Sequence, residues 1–144
     1  MAEITTQLSV FLKNVPGTLH QVLKSITDAE INIEAIMVSD AVDHAVVRLV
    51  VDLPHKAIHL LGDHGLLVIE SDIIAHEMPN EPGELLSLAG KLSKGKLNIS
   101  YIYGSAPREG GIPRIFLHTS DNKKVVGILN GKRKAGSRSR KGRK

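Results

Sequence analysis

Two hexapeptides place the same chemistry twice in one chain: Asn14-Val15-Pro16-Gly17-Thr18-Leu19 and Asn80-Glu81-Pro82-Gly83-Glu84-Leu85. A helix start leaves backbone N–H groups without intrahelical partners and concentrates positive potential, so it attracts carboxylates and phosphates. Pro16 and Pro82 suit the first helical position, where a missing N–H costs little. Gly17 and Gly83 lack the side chain that would hold a ligand away from the backbone. The amides of Gly17, Thr18 and Leu19, and of Gly83, Glu84 and Leu85, are therefore candidates to hold a carboxylate. Asn14 and Asn80 offer a side-chain carbonyl to an ammonium. A carboxylate beside an ammonium describes an amino acid. A Pro-Gly step between strand and helix is also an ordinary turn, and its duplication is what favours the ligand reading.

The elements that must carry these loops are duplicated with them. A shift of 66 residues superposes the halves without a gap, laying Val22 and Ile26 on Leu88 and Leu92, Ile31-Asn32-Ile33 on Leu97-Asn98-Ile99, and Arg48-Leu49 on Arg114-Ile115. A period of this length marks duplication of a whole folding unit. In the first copy Leu8, Val10 and Leu12 alternate with Gln7, Ser9, Phe11 and Lys13, which predicts a strand with one apolar face and a further apolar residue at Phe11, ending near Lys13. Leu19, Val22, Leu23 and Ile26 recur at helical spacing and predict a helix from Pro16 to about Ala29. Residues Ile31 to Val38 and Ala45 to Asp52 read as two strands joined by a hairpin. Pro54 starts a second helix that Gly62 ends, and Leu66 to Ile69 follows as a fourth strand. The order is βαββαβ.

The second copy repeats this with a strand near Ile73 to Glu77, a helix from Pro82 to about Ser93, strands near Leu97 to Tyr103 and Arg114 to His118, and a helix near Lys123 to Leu129. Its fourth strand is missing, because Lys132-Arg133-Lys134 stands where the first copy has Leu66-Leu67-Val68. Burying three cations there would be prohibitive. The edge left open predicts either a homodimer or a strand exchanged between the copies. The expected domains are residues 1–71 and 72–130, followed by a tail at 131–144.

The pattern of hydrophobic strand, Asn-x-Pro-Gly-x-Leu, helix, and hydrophobic-Asn-hydrophobic resembles the ACT domain, over Leu8 to Asp52 and again over Ile74 to Leu117. The resemblance spans nearly all of residues 5–129. It implies two tandem ferredoxin-like α/β domains with antiparallel sheets and no attached catalytic domain. It also implies amino-acid binding at interfaces between paired domains, and a regulatory output on a protein target. On that basis Asn14, Val15, Pro16, Gly17, Thr18 and Leu19, and Asn80, Glu81, Pro82, Gly83, Glu84 and Leu85, form the ligand loops, with Asn32, Ile33, Asn98 and Ile99 supplying the facing strand. Glu30 and Lys96 depart from the family, which often has Gly just before hydrophobic-Asn-hydrophobic.

Composition narrows the function classes. The 144 residues are 42% hydrophobic and 3% aromatic, with no Trp and no Cys. The core must be aliphatic, bases find few rings to stack on, and disulfides, thiolate metal sites and cysteine nucleophiles are excluded. Among the common catalytic and nucleotide motifs no nucleophile elbow, P-loop or dinucleotide fingerprint stands in an appropriate context, so no enzyme activity and no cofactor are expected. His55 and His59 share a helix face with His64 just beyond, but no Cys or acidic motif supports them as a metal site. The stretch from Gly104 to Gly111 reads as a hairpin loop.

No apolar run is long enough to span a bilayer, and a cytoplasmic protein without membrane insertion is expected. The formal charge of +4 is uneven. Residues 132–144 hold eight Lys and Arg and no acid, leaving 11 bases against 15 acids in the remainder. Such a tail is expected to be disordered and suited to a polyanion, whether nucleic acid, anionic lipid or an acidic protein surface, with binding that weakens as salt rises. The competing function is therefore a polyanion-binding protein whose folded part only dimerises.

Overall fold

The computed structural model describes residues 1–40, 43–105 and 110–131. The tail and part of the 104–111 loop lie outside the described residues. The elements are β1 (Ala2–Lys13), α1 (Thr18–Asp28), β2 (Ile33–Asp40), β3 (His44–Val51), α2 (Pro54–Asp63), β4 (Leu67–Glu77), α3 (Glu84–Lys94), β5 (Ile99–Gly104) and β6 (Arg114–Thr119). A further helix, α4, covers 122–131. They fall into two compact units, Thr6–Asp72 and Met1–Thr5 with the chain from Ile73 onward.

In the first unit the strand order is β2-β3-β1-β4. Both β1 and β2 are antiparallel to β3, with Leu8 opposite Leu49, Lys13 opposite His44 and Ile33 opposite Val51. The period-two pattern buries Leu8, Val10 and Leu12 together with Val47, Leu49 and Val51, and α1 and α2 cover this face with Val22, Ile26, Ala57 and Leu61. Burial of each of the larger side chains is worth about 1.5–3 kcal/mol.

The second unit has the order β5-β6-β4-β1, with β4 and β5 antiparallel to β6. Its core joins Ile74, Met78, Leu88, Leu92, Leu117 and Val125 to Ala2. Among the described residues the second copy has no fourth strand of its own after α4, and Ala2–Thr5, the first part of β1, stands beside β4 in that place. This is an exchange of a strand between copies, the second of the two expected solutions to the open edge. Ala2 is 3% exposed.

Several boundaries differ from the sequence expectation. β1 begins at Ala2, well before Gln7, and the strands expected at Leu66–Ile69 and Ile73–Glu77 are one strand, β4. Neither Thr5-Thr6 nor Glu70-Ser71-Asp72 contains the Gly or Pro that would break an extended chain. Gln7, fully buried, donates from Nε2 to Ser71 Oγ at 3.3 Å. Pro54 is the first residue of α2 as expected, but Gly65 rather than Gly62 closes that helix, at φ 81°. The N–H groups of Gly65 and Leu66 then reach back to the carbonyls of Gly62 and Leu61, a Schellman closure.

Candidate functional site

Both Asn-x-Pro-Gly loops fold alike. The N–H of Val15 donates to the Lys13 carbonyl at 2.9 Å, and in the second copy Glu81 donates to Pro79 at 2.9 Å. Gly17 (φ 94°) and Gly83 (φ 90°) are the N-caps of α1 and α3 in left-handed conformation. The helices therefore begin at Thr18 and Glu84, and Pro16 and Pro82 stand before the cap rather than at the first helical position. A residue at such a positive φ cannot begin a right-handed helix, so the chain turns at the glycine first. An added Cβ would meet nothing within 4 Å at either glycine. Backbone conformation, not space, is what requires Gly there.

Gly17 and Gly83, as N-cap residues, have no side chain with which to cap α1 or α3. By contrast, at the start of α4 the Asp121 Oδ1 accepts the Lys124 N–H at 3.1 Å in ordinary N-cap fashion. Of the proposed ligand amides, Thr18 and Glu84 already donate to the carbonyls of Val15 and Glu81, at 3.5 and 3.3 Å. Those of Gly83 and Leu85 make no hydrogen bond among the described residues. Helix α3 carries Glu84 in its first turn and Lys91 and Lys94 in its last, an arrangement that complements its dipole.

The second loop opens onto a cleft of about 570 Å³. All six residues from Asn80 to Leu85 line it, facing Met78, Ser105, Pro113 and Ile115. The strand register brings the far wall in: Met78 N–H donates to the Pro113 carbonyl at 2.9 Å and Ser105 N–H to the Arg114 carbonyl at 3.0 Å. Ser105 and Pro113 escaped the sequence reading because only strand pairing carries them to the loop. Met78 and Ile115 were within reach, since they fall on core positions Leu12 and Leu49 in the repeat. Leu85 and Leu86 are 59% and 77% exposed at this cleft.

In the first loop Asn14, Val15, Pro16 and Gly17 are exposed, as are Asn80 to Gly83 in the second, and Thr18 lines a cavity that lies between α1 and α2. Thr18 Oγ1 donates to the carbonyl of Lys13 at 2.9 Å.

Asn32, Ile33, Asn98 and Ile99 are not brought to the loop of their own copy. Lys13 pairs with His44, whereas Ile33 pairs with Val51 at the other end of β3, roughly 23 Å away at about 3.3 Å per residue. The second copy repeats this, with Glu77 on Arg114 and Ile99 on Thr119. Both asparagines start an edge strand through matched backbone bonds. Asn32 N–H donates to Asp52 Oδ1 at 2.9 Å, and Asn98 N–H to Ser120 Oγ at 3.1 Å.

Among the described residues no three His, Asp or Glu side chains gather where a metal could bind, and no helix is long and apolar enough to cross a membrane.

No curated protein matches the sequence. Among solved structures, the Bacteroides thetaiotaomicron protein BT0572 superposes with a TM-score of 0.84 at 30% identity, covering 92% of this chain and 90% of that one. The ligand-free regulatory subunit of aspartate kinase from Thermus thermophilus shares the fold, with a TM-score of 0.62 at 12% identity over 90% of this chain and 96% of the other. Its Thermus flavus counterpart gives 0.59 at 14%, over 90% and 95%. The family model described as an ACT domain pair matches residues 3–133. Such a pair is a regulatory, small-molecule-binding module rather than a catalytic one. With duplicated loops, duplicated strand order and a match over nearly its whole length, the chain belongs to the ACT domain pair family.

Proposed function

We propose that this protein senses an amino acid, and that the cleft bounded by Asn80–Leu85 is its principal ligand site. The observation that carries the reading is the coincidence of that cleft with a helix start whose N-cap residue, Gly83, has no side chain with which to cap it. The Gly83 and Leu85 amides receive the ligand carboxylate, while the Asn80 side-chain carbonyl and the carboxylates of Glu81 and Glu84 attract its ammonium. The exposed loop of the first copy, Asn14 to Leu19, offers the same backbone pattern with neutral Val15 and Thr18 in place of the two glutamates.

The output is regulatory, exerted on a protein target by a ligand-dependent shift between arrangements. A homodimer suits the sheet edges. β2 and β5 each pair with a single neighbour, and Ile36, Val38 and Ile102 on these strands are more than a third exposed. A second copy would cover such edges.

A thermal-denaturation screen against the twenty amino acids tests the reading, because a ligand that binds only the native state raises its stability by mass action. The expected result is a selective rise that disappears in Asn80→Ala. The absence of a rise with any amino acid overturns it and leaves the polyanion-binding role of the tail as the reading to pursue.

A further inference from the structure

A cavity of about 290 Å³ opens between α1 and α2 in the first unit, apart from the Asn80–Leu85 cleft. Its floor is aliphatic: Leu12, Val22, Leu61 and Leu66. The first three are core residues, none more than 5% exposed, so the cavity reaches down to the packed interior. Its charged or chargeable lining is Lys13 and His64, and no Asp or Glu lines it. Lys13 forms no ion pair among the described residues. His64 Nδ1 lies 2.8 Å from the Leu60 carbonyl. A carbonyl can only accept, so Nδ1 carries the proton and Nε2 is the nitrogen left for a further partner. The electrostatics are the reverse of the other cleft, where Glu81 and Glu84 are present and no cation lines the wall.

We propose that this cavity binds a short branched aliphatic monocarboxylate without an amine. The carboxylate meets Lys13 at the mouth and the branched tail rests on Val22, Leu61 and Leu66. The volume is at the small end for ligand pockets and matches a metabolite rather than a cofactor. An α-ammonium would meet only the neutral oxygens of Thr18, Gln21 and Ser25, with no carboxylate to offset the Lys13 cation, so the amine-free acid is preferred over its amino acid.

Methyl NMR on the full chain at pH 7 tests this, with isovalerate, L-leucine and isoamylamine as probes. Isovalerate should shift the methyls of Val22, Leu61 and Leu66 and leave those of Leu85 and Leu86 in place. Lys13→Gln, a change at an exposed residue, should weaken binding by about fivefold, the upper range for a solvent-exposed ion pair. The proposal is overturned if isoamylamine or leucine binds these methyls as tightly as isovalerate, if Lys13→Gln leaves the affinity unchanged, or if isovalerate shifts only residues 78–86 or nothing. Amino-acid binding at Asn80–Leu85 is read separately by the thermal screen, so failure of one proposal is distinguishable from failure of the other.

Discussion

Asn130 grips Ala2 through both ends of its side-chain amide: Oδ1 accepts the Ala2 N–H at 3.0 Å, and Nδ2 donates to the Ala2 carbonyl at 2.7 Å. The last described turn of α4 thereby fastens the first strand residue of the chain into the second unit, beside the core that Ala2 joins. The Met1 ammonium stands 4.0 Å from Glu77, an exposed pair worth little by itself.

Asn130→Ala removes both partners of Ala2 and should destabilise the protein by about 1–3 kcal/mol, the cost of leaving buried backbone groups unpaired. Urea denaturation would show it. Hydrogen exchange should show the loss concentrated in residues 2–5 and α4, and uniform loss across both units would contradict the tether.

Glu30 and Lys96 occupy left-handed conformations, at φ 60° and 59°. Each closes a Schellman motif, with Ile31 N–H reaching the Ile26 carbonyl at 3.1 Å and Leu97 N–H the Leu92 carbonyl at 2.9 Å. The glycine usual in the family would sit there unstrained. Glu30→Gly and Lys96→Gly should each stabilise by about 0.5–1 kcal/mol, the left-handed strain of about 1–2 kcal/mol less the greater chain entropy of glycine. Thermal midpoints that fall in both variants would refute this.

Gly83→Ala should cost about 1 kcal/mol, the left-handed strain less the greater chain entropy of glycine, without a clash, and should weaken amino-acid binding by displacing the amides at the start of α3. Gly90, exposed within the same helix and with open space around an added Cβ, supplies the opposite sign. Gly90→Ala should stabilise by about 0.5–1 kcal/mol and leave binding unchanged. Denaturation and ligand titration of the two variants side by side separate loop geometry from general helix stability.

His76 has its pKa lowered, chiefly by burial and next by the Met1 ammonium; a hydrogen bond with the Met1 backbone opposes this, Lys91 adds a smaller lowering and Glu77 a smaller rise. A folded-state pKa below the unfolded value means that the unfolded chain takes up the proton first. The stabilisation is fully present above about pH 6.5 and is lost as the pH falls through the lowered folded value. Urea midpoints measured from pH 7.5 down to 5 should therefore decline, and His76→Gln should flatten part of that slope. An unchanged slope would remove His76 as a contributor.

Whatever depended on neighbours in the chain was legible in the sequence. The βαββαβ order, the duplication, the placement of Val22 and Ile26 on Leu88 and Leu92, and the two Asn-x-Pro-Gly turns follow from hydrophobic period and turn chemistry, which act over a few residues. The exact helix starts were not, because Pro16 and Pro82 suit a first helical turn as well as the turn before it, and only the positive φ of Gly17 and Gly83 decides between them. The tertiary structure decided the rest through long-range pairing. Ala2 meets Asn130 across almost the whole chain, Pro113 and Ser105 reach the Asn80 loop through strand register, and that register also carries Asn32 and Asn98 to the far end of the sheet from their own loops. No local pattern encodes such distances: a strand's side-chain period tells which face is buried, whereas its partner is settled only when backbone donors and acceptors along an open edge must all be satisfied.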